Sequence, residues 1–278
     1  MWRSACALGI NRITQLASER GPAPMVTTTV LALPTMALIA LFAVFVFGGV
    51  VKGVTGVGLP LVLVPLSAQF VPVPVAVALV SVSMVATNIV QSAEGGHTRR
   101  ALRQLWPIML PLSAGGVLGT HLLLSINQKR LDLIIGASFL LLALLLLSLP
   151  KVRINRRAAR WGGPIVGFGA GVLGGMSAIF GPPMIAYMVS LGVEPNIFVK
   201  HMAILALTAA TTMLLVLGGS GAMSGGDFLM SAAALIPIQL GMPLGRWLRG
   251  RIKPNWFRVL VLVVLAASGF DMLGRALF

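Results

Sequence analysis

Lys52 is the one charged residue in an otherwise uncharged run, "VVKGVTGVGLPLVLVP" from Val50 to Pro65, with Gly53, Gly56 and Gly58 close behind it and Pro60 beyond. An ammonium group set among glycines can hold an anion with a full positive charge. An ionisable side chain within an apolar segment is costly, roughly 2.5–3.5 kcal/mol at the centre of a bilayer helix, so it is a functional candidate by default. The same lysine could instead reach out from a helix end to lipid headgroups, and both readings stay open on the sequence. The glycines followed by Pro60 read as a break between helices, since proline suits the first turn of a new helix. Interrupted backbone at membrane depth is tolerated only where it is buried in protein or lines a watery cavity. A helix starting at such a break offers free amides and a partial positive charge, which favour an anion.

A second stretch, "GGMSAIFGPPMIAYM" from Gly174, repeats the device with Gly181, Pro182 and Pro183. Thr55 and Ser177 fall at matching positions just ahead of the two short segments and can add hydroxyl donors. Two breaks in corresponding places are the sequence pointer to a transporter's binding site; the alternative is that small residues only let helices pack closely. Thr87, Asn88 and Gln91 form a polar stripe at helical spacing, as do Thr208, Thr211 and Thr212, and such stripes either line a pathway or join helices. His201 could carry a proton or sit neutral and packed, and Lys200 beside it reads as a headgroup contact. The candidate substrate-binding set is Lys52, Gly53, Thr55, Gly56, Gly58, Pro60, Asn88, Ser177, Gly181, Pro182, Pro183 and His201, with no catalytic residue and no metal ligand.

These residues are carried by a chain whose composition excludes an ordinary soluble domain. Of its 278 residues 57% are hydrophobic and 10% charged, against about a quarter charged in soluble proteins. The net charge of +15 invites a nucleic-acid reading, but the basic residues cluster in short links between apolar runs. That is the mark of cytoplasmic loops facing anionic headgroups, so no nucleic-acid partner is expected. One cysteine, Cys6, excludes an intrachain disulfide and a cysteine-rich metal site. No cofactor is called for. Residues 1–30 read as an N-terminal tail, with Met25 an alternative start.

Apolar segments are expected at about 31–52, 59–70, 73–92, 105–126, 131–149, 163–179, 182–192, 195–217, 227–248 and 256–275. The two sets of five resemble each other. Pro111, Gly115 and Gly119 have the spacing of Pro237, Gly241 and Gly245, which reads as packing faces; Gly49, Gly53 and Pro60 match Gly171, Gly175 and Pro182 at one offset. The expected fold is all-α: a polytopic helical membrane protein of about 8–10 transmembrane or half-membrane helices, with broken helices, in two homologous repeats, 31–149 and 162–278, joined by a basic cytoplasmic linker at 150–161. If the basic links at 93–104, 150–161 and 246–255 all face the cytoplasm, the second repeat is inverted relative to the first, a common transporter plan. The basic tail residues Arg3, Arg12 and Arg20 would then lie outside, against that pattern.

The runs "GGVVKGVTGVGLPLVLVP", "VPVPVAVALVSVSMVATN" and "GFGAGVLGGMSAIFGPPMIAYMVSLGVEP" resemble the sulfite exporter TauE/SafE family of bacterial membrane transporters, over about residues 36 to 274. The resemblance implies transport of small anions, often sulfur-containing such as sulfite or sulfonates, across the bacterial inner membrane. The chain departs from the family pattern at Leu59 and Pro60, and at Ile179 and Phe180, where more glycine is usual; these changes bear on the shape of the cradle. No GxxxxGK[ST] loop is present, so a secondary transporter is expected, with a small anionic substrate and the lipid bilayer as partners and a homo-oligomer allowed. The rival readings are an intramembrane hydrolase using Ser177 with His201, and a cation transporter. Against the latter, Glu94, Glu194, Asp227 and Asp271 lie near segment ends, and Glu19 and Asp132 in the tail and a loop.

Overall fold

A computed structural model describes residues 25–56, 58–93, 98–148, 156–248, 251 and 254–277. Most of the tail, Glu94, and much of the 150–161 linker lie outside the described residues. Those that are described form helices and no strand. In chain order they are α1 (Met25–Leu31), α2 (Thr35–Thr55), α3 (Leu59–Ser67), α4 (Val73–Ala93), α5 (Thr98–Ser125) and α6 (Gln128–Ser148). Then follow α7 (Arg156–Ser177), α8 (Gly181–Ser190), α9 (Pro195–Gly219), α10 (Gly225–Ala233), α11 (Leu235–Leu248) and α12 (Pro254–Leu277). Among the described residues six spans are long and apolar enough to cross a bilayer, including α2, α4, α5 and α10 with α11 taken together. Outward-facing leucine and phenylalanine side chains such as Leu118, Leu141, Leu215 and Phe270 are what a lipid-facing surface requires.

Helix ends follow local chemistry. The expected starts of α5 and α7 fall several residues late, because their basic first turns extend the helices beyond the apolar windows. The expected 227–248 segment is two helices: Pro237 has no N–H to give the carbonyl of Ala233, and α10 ends there. Asp132 stands within α6, one turn after its start, rather than in a loop, accepting a bond from Gln128 Nε2 at 2.8 Å. At α10 Ser224 and Asp227 form a capping box. Asp227, fully buried, also accepts from the Val26 and Thr27 amides at 3.0 and 2.7 Å, which fastens α1 to the start of α10.

Glycine faces decide which helices touch. On α5 a Cβ added to Gly115 or Gly119 would collide with the carbonyls of Phe168 and Val172 on α7, and one added to Gly171 or Gly175 would collide with those of Leu112 and Gly116 on α5. The second such pair is α2 with α11: Gly49 and Gly53 lie against Ile238 and Met242, and Gly241 and Gly245 against Val46 and Val50. Residue numbers rise together in both pairs, so each runs parallel. Gly53 therefore belongs to a packing face inside α2, not to the break, and Gly175 likewise lies within α7. Helices α6 and α12 cross at Gly136 and Gly269; Gly136 also faces Met272 and Leu273 while Gly269 faces Leu140, so this pair is antiparallel. α4 packs on α9, between the two parallel pairs. The C-terminal end of α3 is tied to α12, where Arg275 donates to Ala68 O at 3.2 Å and to Gln69 Oε1 at 2.8 Å.

Close approach at these faces generates a first prediction. Gly119→Val should destabilise the protein by about 1–3 kcal/mol or more, because the α5–α7 backbones must separate. Gly169→Val, on the same α7 but with open space around it, should leave the melting temperature in detergent nearly unchanged. Equal losses from both variants would show that the close α5–α7 contact does not set the cost.

Candidate functional site

Two interruptions of the helical ladder are built by left-handed residues. α2 ends at Gly56, whose φ of 73° suits glycine, and its N–H closes the helix on Lys52 O at 2.8 Å. Gly58, at φ 95°, turns the chain into α3, with Pro60 in its first turn. In the second half the residue matching Gly56 is Ala178, at φ 59°, with its N–H on Gly174 O at 2.6 Å. An L-residue with a Cβ pays about 1–2 kcal/mol for this conformation. Gly181, Pro182 and Pro183 then open α8.

The structure brings both breaks to one cavity of about 20 Å³, room for a single water-sized body. From the first half come Lys52, Gly58, Leu59, Pro60 and Leu61, with Met84 and Asn88 from α4. From the second half come Phe180, Gly181, Ile185 and Ala206. Lys52 is only 4% exposed and so does not reach the headgroups; its Nζ donates to Asn88 Oδ1 at 3.3 Å. Asn88 is oriented in turn by its Nδ2, which donates to Met84 O at 2.7 Å. The Arg275–Asp271 ion pair is far along the chain from Lys52, and among the described residues no carboxylate lines the cavity. Lys52 also lies in the last turn of α2, where the helix dipole favours a cation.

Of the candidate residues, Lys52, Gly58, Pro60, Asn88 and Gly181 line this cavity, whereas Gly53, Thr55, Gly56, Ser177, Pro182, Pro183 and His201 do not. Thr55 and Ser177 do occupy matching places, but each hydroxyl donates to a carbonyl of its own helix, Val51 O at 2.9 Å and Leu173 O at 2.8 Å. Ser177 Oγ also accepts from the Ile179 amide at 3.3 Å, so it serves the broken backbone. His201 is buried on α9. Gln91 reaches across to α2, donating to Gly56 O at 2.6 Å, while Thr87 bonds within α4. Thr212 joins α9 to α5 through Ser113 Oγ at 3.1 Å. The amide cradle is narrower than the sequence suggests: Pro60, Pro182 and Pro183 have no N–H, and the Leu61 amide is bonded to Gly58 O. Lys52 and Asn88 are therefore the chief polar groups at the cavity. Its apolar lining, Phe180 above all, was not among the candidates. The repeat offset pairs Phe180 with Gly58 and would have singled it out.

A polytopic helical protein whose paired helix breaks meet at a cavity with a buried cation has the architecture of a membrane transporter. The family model of the sulfite exporter TauE/SafE family matches residues 41–272, most of the chain, and the protein belongs to that family. It is thus a multi-pass membrane transporter and not an enzyme. Neither a curated protein nor a solved structure matches the chain.

The strained break makes a prediction. Ala178→Gly should stabilise the protein by about 0.5–1 kcal/mol, the relief of the left-handed strain less the entropy glycine adds to the unfolded chain. A lowered melting temperature would mean that the buried methyl group contributes more than the strain costs.

Proposed function

We propose that the protein is a secondary transporter moving a small anion, such as sulfite, a sulfonate or a related organic oxyanion, across the bacterial inner membrane, with the anion held between the two helix breaks. The observation that carries this reading is Lys52, a buried cation with a neutral hydrogen-bond partner, no carboxylate beside it among the described residues, and a cavity in front of it. An ammonium group in such surroundings gains most from a partner of opposite charge, and a charge-assisted bond to it is worth about 1.5–3 kcal/mol. A cation at the same place would meet repulsion from Lys52 and find no carboxylate in the lining among the described residues.

An inverted arrangement of the two repeats accounts for the helix directions. The repeats exchange partners, α2 with α11 and α5 with α7. The repeat mates α6 and α12 run antiparallel, as mates related by a two-fold axis in the membrane plane must and mates related by an axis along the normal must not. Helix ends near residues 92, 98 and 248 also gather on one side: Gln91 bonds Gly56 O, Thr98 Oγ1 bonds Ser92 O at 3.2 Å, and α11 rises alongside α2. Exposed Arg99, Arg100 and Arg103 and the Arg251 guanidinium, 3.8 Å over the Trp247 ring, belong to that side and support its being cytoplasmic.

Two experiments test the proposal. Millimolar sulfite or methanesulfonate should raise the apparent melting temperature of the purified protein, and Lys52→Gln should weaken that binding by about tenfold or more. No shift with either anion, or an equal shift in the variant, would sink the anion site. In a Cys6→Ser background, Ser220→Cys and Arg251→Cys should react with an impermeant maleimide from opposite faces of sealed vesicles; labelling from one face would refute the inverted topology.

A further inference from the structure

We infer that Phe180 sets the length of the anion that the site accepts. The inference rests on the anion reading of the cavity and deepens it. Across the repeat offset Lys52 corresponds to Gly174, and Gly58 to Phe180. The two halves have thus exchanged their large and small positions. In the first half a long cation stands beside a bare glycine turn. In the second, Phe180 packs over Gly174 so closely that a Cβ added to the glycine would lie 2.8 Å from the phenylalanine Cβ. Phe180 is 3% exposed and forms a wall of the same cavity that Lys52 enters.

The cavity is consequently one-sided. Its polar end is Lys52 with Asn88; Phe180, Met84, Ile185 and Ala206 give it an apolar wall. An anion whose charged group sits at Lys52 must point its remaining atoms at that wall. Phe180 stands where the other half has the bare Gly58, and as part of the cavity wall it limits how many carbons can follow the charged group. With about 20 Å³ free, the cavity must widen to admit even a bare oxyanion, and each methylene added to the anion demands more room against the Phe180 wall. Apolar pockets discriminate by about ten- to two-hundredfold per methylene.

The test is isothermal titration of the full-length protein in detergent with sulfite and with methane-, ethane-, propane- and butanesulfonate. In the native protein affinity should fall by about tenfold or more at one step of the series. Phe180→Ala should move that step to a longer sulfonate by at least one carbon, Phe180→Leu by less. Both should still bind methanesulfonate, because Lys52 and Asn88 are untouched, and that binding also reports that each variant is folded. An unchanged cut-off in variants that still bind methanesulfonate would overturn the inference alone. Failure of the native protein to bind any of these anions would overturn the anion reading and the inference with it.

Discussion

A bilayer offers no water to backbone groups that a helix leaves open, and the construction of this protein turns on meeting that requirement at its two breaks. At the first, the Gly56 amide closes α2 on Lys52 O and its carbonyl is taken by Gln91 Nε2 from α4. At the second, the Ala178 amide closes α7 on Gly174 O, and the next amide, Ile179, is taken by Ser177 Oγ. Prolines at the starts of α3 and α8 remove donors that would otherwise need partners. The polar residues around each break are therefore divided between keeping the backbone satisfied, as Gln91 and Ser177 do, and facing the cavity, as Lys52 and Asn88 do.

Holding two breaks at one cavity demands that the surrounding helices be fixed, and lipid-immersed helices gain little from hydrophobic burial against each other. Backbone contact takes over that role. The glycines of α5 with α7, and of α2 with α11, let carbonyls of the facing helix sit where side chains would stand. Because each break directly follows such a helix, α2 or α7, the position of its last turn is inherited from the packing face one or two turns earlier. Gly53 illustrates the coupling: it contacts the α11 backbone beside Gly245 while its neighbour Lys52 enters the cavity.

Much of this was legible from the sequence, for identifiable reasons. Apolar runs bounded by basic and proline residues locate helices because the bilayer selects on length and hydropathy, and the breaks announce themselves by glycine and proline. The packing glycines at 115, 119, 241 and 245 were recognisable from their four-residue spacing. Less visible was which glycine does which job: Gly53 and Gly56 are three apart in a single glycine-rich run, yet one packs a helix and the other ends it in the left-handed region. Ala178 carries no chemical sign of its positive φ; only its alignment with Gly56 could have pointed to it. The clasp of Asp227 on Val26 and Thr27 joins residues about two hundred apart, and no local pattern encodes it. Nor do apolar residues such as Ile185 and Ala206 distinguish, by type, lining a cavity from filling a core.

Set at one offset, the two halves of the sequence agree in some features of their helix breaks and differ in others. The features the halves share are backbone devices: a left-handed residue closing α2 or α7, a hydroxyl bonded one turn back, a proline opening the short helix, a glycine face on the preceding turn. None of these carries a full charge. The features that differ are Lys52 against Gly174, and Gly58 against Phe180. A perfectly repeated site would set two cations face to face across a small cavity, each raising the cost of burying the other. With a cation from one half and Phe180 from the other among the lining residues, that repulsion does not arise. The asymmetry thus follows from electrostatics as much as from shape, and it gives the cavity one charged end and one apolar wall.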